Sequence, residues 1–272
     1  MNDSQTARTA GIVHQEFRID TPAGRLFAKR WSPAGEAHAG KAPVVLLHDS
    51  LGCVELWRDF PERLARATDR SVIAYDRLGF GKSDPHPGVL TGTFIHDEAL
   101  GSFAALCQQL RLDQFIAFGH SVGGGMAVGC AAVHAVGCHG LITESTQAFV
   151  EDRTLAGIRE AQRMFRQSAQ VDRLRKYHGD KTPWVLDAWI GSWLSPGFAD
   201  WRLDEDLRQV RCPVLAIHGD LDEYGTVSHP RRIVELAAGP SRFELLEGCG
   251  HVPHREQAEA VLETLRSWLS GL

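Results

Sequence analysis

The sequence predicts an α/β fold, a mostly parallel, doubly wound sheet with a helical cap inserted in its second half. Three observations predict it. From residue 16 to 146, short apolar runs that read as buried strands alternate with stretches of helical spacing. From 147 to 204 the pattern is helical only, irregular, and broken by Gly179, Pro183, Pro196 and Gly197. The alternation then resumes at Val214 and runs to the end. Residues 1–146 and 205–272 are therefore expected to form the core and 147–204 the cap.

Each element follows in order. Glu16 to Ile19 and Leu26 to Trp31 flank the turn-forming cluster Thr21-Pro22-Ala23-Gly24 and read as an antiparallel hairpin at the sheet edge. Residues 32 to 43 form a loop of small residues. Val44 to Leu47 is continuously apolar, as a parallel strand covered on both faces requires, and it ends at His48-Asp49-Ser50-Leu51-Gly52. Leu56, Phe60 and Leu64 recur at i, i+4 and i+8 and predict a helix from Leu56 to Ala67. Val72 to Tyr75 is the next strand, running into Asp76 to Ser83, and residues 95 to 110 are helical after a Pro-rich loop. Phe115 to Gly119 reads as a strand, Met126 to Val136 as a packed helix and Leu141 to Thr143 as a strand. Beyond the insertion come strands at Val214 to His218 and Phe243 to Leu246, a helix around Arg231 to Ala238 between them, and an amphipathic helix from Glu256 to Leu269.

Composition narrows the function classes. The 272 residues are 43% hydrophobic, enough for a substantial core. A net charge of −5 without a Lys/Arg stripe argues against nucleic acid. The start, MNDSQTARTAG, lacks an apolar core and a cleavage signature, so it reads as a frayed arm and not as a secretory signal. Six scattered cysteines without C-x-x-C point to buried, reduced thiols and a cytoplasmic location. No charged residue occurs from Gln114 to Thr143, yet this run is glycine-rich, carries His120, His134 and His139, and breaks into strand, helix and strand. It is not a membrane span.

Within it, Gly119-His120-Ser121-Val122-Gly123 is G-x-S-x-G between a strand and a helix, a reversal that forces the serine outward. In an open α/β sheet chemistry lies beyond the carboxyl ends of the strands, and further candidates stand there. Gly219-Asp220-Leu221-Asp222 follows one strand and Gly248-Cys249-Gly250-His251 the next. A serine hydroxyl needs an imidazole to accept its proton, and the imidazole a carboxylate to fix its tautomer. Ser121, His251 and Asp222 fit those roles in the required chain order, with Asp220 and Glu223 as competing acids and His254 as competing base. His251 and His254 lack an acidic or cysteine partner at ligand spacing, so neither metal nor cofactor is expected.

From about residue 16 to 270, with DRLGFGKS at 76–83, GHSVGG at 119–124, GDLD at 219–222 and GCGH at 248–251, the chain resembles the α/β-hydrolase superfamily. Within it, the chain is similar to the capped single-domain group of bacterial esterases, lactonases and hydrolases of aromatic ring-cleavage products. The resemblance puts the acid on Asp222, the base on His251, and the two oxyanion donors on the backbone N–H groups of Ser50 and Val122. One departure is Asp49, where relatives usually carry glycine after the loop histidine; its carboxylate either leaves the oxyanion loop intact or repels a developing oxyanion. Serine at the elbow, where a haloalkane dehalogenase or epoxide hydrolase of this fold has aspartate, disfavours both.

The expected substrate is a small apolar or aromatic acyl compound. Trp184, Trp189, Trp193 and Trp201, with Phe149, Phe165 and Tyr177, suggest an apolar lid, and Leu51, Cys53 and Trp57 an opposite wall. Carbon–carbon hydrolysis of a vinylogous diketone shares the fold and triad; there Arg163, Arg166 and Arg173 could hold a carboxylate or merely face solvent. A perhydrolase or cofactor-free oxygenase is more distant. From other classes come a short-chain dehydrogenase, for which Gly119-x-x-x-Gly123-x-Gly125, Glu144 and Tyr177-x-x-x-Lys181 are weak cues, and a non-catalytic ligand receptor. Oligomeric state is not legible.

Overall fold

The computed structural model describes residues 11–35 and 38–272; the N-terminal arm expected at residues 1–10 lies outside them. In chain order come β1 (Ile12–Thr21), β2 (Gly24–Pro33), β3 (Val44–Leu47), α1 (Phe60–Thr68), β4 (Val72–Tyr75), α2 (Phe94–Leu100) and α3 (Ser102–Leu110). Next are β5 (Phe115–His120), α4 (Val122–Val133), β6 (Cys138–Glu144), α5 (Asp152–Met164), α6 (Ser168–His178), α7 (Thr182–Trp193) and α8 (Asp204–Leu207). The chain closes with β7 (Val214–Gly219), α9 (Ser228–Leu236), β8 (Ser241–Leu246), α10 (Pro253–Glu256) and α11 (Ala258–Leu269).

The sheet order is β1-β2-β4-β3-β5-β6-β7-β8, antiparallel at β1-β2 and β2-β4 and parallel beyond. Alternation along the central strands fills two cores. Val45, Leu47, Phe115 and Ala117 pack with α2, α3 and α4, while Val44, Leu46, Ile116 and Phe118 pack with Phe60 and Leu64 of α1 and Val261 and Leu265 of α11. Such two-faced burial is why these strands read as continuous apolar runs. Between β6 and β7 the regular elements are helices; one isolated bridge, Phe149 to Arg202, joins the two ends of this excursion. Among the described residues no helix is long and apolar enough to cross a membrane.

Several boundaries differ from the sequence reading, three of them for a plain physical reason. Leu56 belongs to a separate 3-10 turn at Val54–Trp57, and α1 starts at Phe60 because Pro61, lacking an N–H, fits only a first turn. The helix expected over 95–110 is two, broken at Gly101, whose ψ of −97° is far from helical. Helix α4 begins at Val122, not Met126; glycines 123–125 hide its first turn because glycine is a poor helix former.

Candidate active site

Ser121 stands between β5 and α4 with φ 56° and ψ −126°, a left-handed conformation that a non-glycine residue adopts only when its surroundings enforce it. The enforcement is visible. A Cβ on Gly119 would lie 2.0 Å from the Gly123 carbonyl oxygen, and one on Gly123 would lie 2.2 Å from that of Leu47. Both positions must be glycine for α4 to close onto β5 and the end of β3. Val122 opens the helix, so its N–H has no acceptor within α4.

Ser121 Oγ is 3.0 Å from His251 Nε2, and His251 Nδ1 is 2.9 Å from both carboxylate oxygens of Asp222. Asp222 is fully buried and also accepts the Tyr224 N–H at 2.7 Å. Burial pushes its carboxyl up; the charge and hydrogen bond of His251, with the Tyr224 N–H, outweigh that and hold it below its ordinary range. Asp220 is engaged elsewhere: its Oδ1 accepts the N–H groups of Gly248 and Cys249, shaping the loop that carries His251. Glu223 is exposed, and His254 is bonded to Glu144 instead.

The loop after β3 is pinned from beneath. His48 accepts the Arg77 N–H at Nε2 (3.1 Å), which leaves Nδ1 to donate to the Asp49 carbonyl at 2.8 Å, and Arg77 Nη2 donates to the same oxygen at 2.8 Å. Burial and the Arg77 charge keep the His48 imidazole well below its ordinary pKa, consistent with a neutral ring.

A cavity of about 140 Å³ opens beside Ser121 and His251, lined also by Asp49, Ser50, Leu51, Gln147, Thr154, Ile158, Trp189, Trp193 and Tyr224. Leu51, Trp189 and Trp193 line it as the sequence reading expected, whereas Cys53, Trp57, Phe149, Phe165, Tyr177, Trp184 and Trp201 do not. Trp57 is buried in the core behind the loop, against Phe60, Phe118 and His254. Trp184 covers the loop after β4, packing on Phe80 and donating to the Gly88 carbonyl at 2.7 Å. Phe149 packs tilted against His229, 4.5 Å between ring centroids, beside a separate surface hollow. Trp201 packs on Phe198, and Arg163 and Arg173 bond their own helix neighbours Glu160 and Gln170 on an exposed face.

Gln147, Thr154 and Tyr224 escaped the sequence reading. Gln147 Oε1 lies 3.4 Å from Ser121 Oγ, and the Tyr224 ring packs 4.8 Å from that of His251. Their positions were the available signal, since Gln147 closely follows β6 and Tyr224 stands two residues after the acid. Helix α5 is bonded to this region: Arg153 donates to the Asp222 carbonyl at 2.8 Å and Thr154 to that of Tyr224 at 2.6 Å. From the middle of the excursion, at the end of α6, His178 Nε2 donates to the Leu51 carbonyl at 3.0 Å.

His120, Glu144 and His254 bring three ligand-type atoms within 4.8 Å of one another. They are engaged otherwise: His254 Nδ1 bonds Glu144, and both nitrogens of His120 face acceptors. The six cysteines are free thiols; Cys138 and Cys212, far apart in sequence, meet with sulfurs 3.6 Å apart.

Comparison with known proteins settles the lineage. The family model described as "Alpha/beta hydrolase family" matches residues 44–264. The chain belongs to the α/β-hydrolase family. A proline iminopeptidase of Lactobacillus crispatus (strain ST1) is 27% identical over 271 residues, covering 84% of this chain and 90% of that protein. Among solved structures, a thermophilic esterase from Thermogutta terrifontis superposes with a TM-score of 0.71 at 24% identity, over 94% of this chain and 98% of the other. The 2-hydroxy-6-oxo-6-phenylhexa-2,4-dienoate hydrolase of Rhodococcus sp. strain RHA1 gives 0.74 at 16% identity, over 94% and 99%. These two likenesses establish the fold of this α/β-hydrolase alone.

Proposed function

We propose that this α/β-hydrolase is a serine hydrolase that cleaves a small, uncharged carboxylic ester or related acyl compound through an acyl-enzyme. The observation that carries the reading is the continuous relay from Ser121 Oγ to His251 Nε2 at 3.0 Å and from His251 Nδ1 to Asp222 at 2.9 Å. Ser121 attacks the acyl carbonyl while His251 takes its proton, and the N–H groups of Ser50 and Val122 receive the oxyanion. Asp222 stabilises the imidazolium, which then protonates the leaving alkoxide. In the second half His251 activates a water, the acyl–oxygen bond to Ser121 breaks, and the carboxylic acid departs.

The cavity supports the substrate class. Its volume of about 140 Å³ is close to that of apolar protein cavities that accept benzene, and Leu51, Ile158, Trp189 and Trp193 give it apolar walls. Among the described residues no Lys or Arg lines it, so a substrate carboxylate would meet no counter-ion from them. That ranks ester hydrolysis above carbon–carbon hydrolysis of a dienoate. Residues 147–204 act as the cap in this reading, and free thiols accord with a cytoplasmic setting. Family membership removes the support for a dehydrogenase.

A second reading, release of an N-terminal residue from a peptide, is favoured by the proline iminopeptidase relative. Its substrate carries an ammonium group that needs an unspent carboxylate. Among the described residues Asp49 is the carboxylate lining the cavity, and it is already bonded to the Leu51 N–H and paired with His120. Treating wild type, Ser121→Ala and His251→Ala with a fluorophosphonate, p-nitrophenyl esters and prolyl-p-nitroanilide separates these readings. Labelling and ester turnover in wild type alone are expected; anilide turnover exceeding ester turnover would move the assignment to the peptidase, and an unlabelled, folded wild type would sink both.

A further inference from the structure

Asp49 occupies the position after the loop histidine, one residue before the proposed oxyanion donor Ser50. An anion there should oppose the charge that develops on the substrate oxygen. The structure supplies its counterweight. Asp49 Oδ1 accepts the Leu51 N–H at 2.9 Å, and Oδ2 lies 3.4 Å from Nδ1 of His120, the residue before Ser121. The other ring nitrogen of His120, Nε2, is 2.8 Å from the backbone carbonyl of His251. A carbonyl only accepts, so Nε2 carries a hydrogen; a second hydrogen on Nδ1, which makes the ring an imidazolium, would face the Asp49 carboxylate at ion-pair distance.

We propose that His120 is a positioning residue: its imidazolium neutralises Asp49 and turns that carboxylate from the oxyanion site, while tying the backbone of His251 to the strand that presents Ser121. The inference rests on the serine-hydrolase reading for its kinetic consequence but not for its structural one. The groups facing His120 are consistent with a buried cation. Asp49 approaches from the loop after β3, Glu144 from the end of β6, the ring of His251 at 5.1 Å and that of His254 in α10 at 5.0 Å, with Trp57 at 6.3 Å. Glu144 also bonds His254 Nδ1 at 2.5 Å, but burial pulls the His254 pKa down, which leaves the Glu144 charge to favour a proton on His120; Arg255 lies near Asp49. Burial alone would strip the proton from His120; the Asp49 hydrogen bond and the charges of Glu144 and Asp49 reverse that and raise its pKa.

His120→Gln keeps an amide that can reach the His251 carbonyl and removes the charge beside Asp49. With p-nitrophenyl butyrate, His120→Gln is expected to lose about 10- to 100-fold in kcat with little change in KM. The double variant Asp49→Asn/His120→Gln is expected to recover to within roughly threefold of Asp49→Asn alone, because the harm is the unmatched anion. In wild type kcat should fall on the alkaline side as His120 loses its proton, and that limb should flatten in Asp49→Asn. Equal losses in the single and double variants, or wild-type kcat in His120→Gln, would overturn the proposal. Should the variants fail to fold, ¹⁵N NMR of the wild-type imidazoles decides: two protonated nitrogens on His120 at pH 7 are expected, and a neutral tautomer refutes the idea. A wild type without ester turnover sinks the serine-hydrolase reading instead, and the NMR result still stands or falls alone.

Discussion

Two alanine substitutions in one helix should have opposite effects. Gly123 and Gly129 both lie in α4, so glycine's poor helix propensity predicts that alanine stabilises each by up to about 1 kcal/mol. At Gly129 the new Cβ meets its nearest neighbour, the Cα of His96, at an ordinary 3.7 Å, and that gain should be realised. At Gly123 the new Cβ falls 2.2 Å from the Leu47 carbonyl oxygen and 2.5 Å from that of His48. To reach the 3.4 Å where ordinary contact begins, the end of β3 and α4 must separate by about 1.2 Å, and both partners are backbone. Overpacking of this kind costs about 1–3 kcal/mol, or roughly 2–10 °C in Tm for a domain this size. The kinetic effect should be larger than the thermal one. Leu47 leads directly into the loop bearing Ser50 and Gly123 follows Val122, so the separation pulls the two proposed oxyanion donors apart, and a misplacement near 1 Å costs about 100-fold in rate. Calorimetry with fluorophosphonate labelling rates tests this: Gly129→Ala should melt about 2–4 °C higher with unchanged labelling, and Gly123→Ala lower with labelling slowed about 100-fold. A Gly123→Ala protein that labels at the wild-type rate would refute the reasoning.

Further outcomes follow from the same geometry. Asp222→Asn should leave the fold intact and cut kcat by about 10⁴-fold, because the imidazole loses both its tautomer control and its counter-charge; ester kinetics checked against circular dichroism decides. Across p-nitrophenyl acetate to octanoate, kcat/KM should rise about fourfold per methylene while the cavity of about 140 Å³ fills, then turn down; a monotonic rise to octanoate would mean that the acyl chain lies elsewhere. Arg70 is buried and donates to the carbonyls of Ala42, Leu269 and Leu272, so Arg70→Met should lower stability by about 2–3 kcal/mol at unchanged turnover, read by thermal melting and ester assay.

Chain order and strand-end placement made much of this molecule legible. Ser121, Asp222 and His251 could be chosen from sequence because each follows an apolar run, and strand ends converge on one edge of the sheet. The walls of the cavity could not be chosen in this way. Trp57, Trp184 and Trp189 are alike as letters, and what separates them is direction: one points back into the core, one lies over the loop after β4, and one borders the cavity. Periodicity assigns a residue to a face and does not say what that face meets. Asp49 was noticed as an irregularity but not understood, because its partner His120 is 71 positions away and reaches it only through the register of β3 against β5. The meeting of Cys138 with Cys212 was invisible for the same reason.

The excursion between β6 and β7 leaves and rejoins the sheet on neighbouring, hydrogen-bonded strands, with Glu144 paired to Ile217. Its two ends are therefore held one strand spacing apart whatever lies between them, and the closure entropy of such a segment grows only slowly with its length. Residues 145–213 can consequently lengthen, shorten or be exchanged without altering the register of the sheet that carries Ser121, Asp222 and His251. If the proposed function holds, the groups that react and the enclosure around the substrate sit on separable parts of the chain, so rewriting this one interval would change what is enclosed while leaving the sheet register in place.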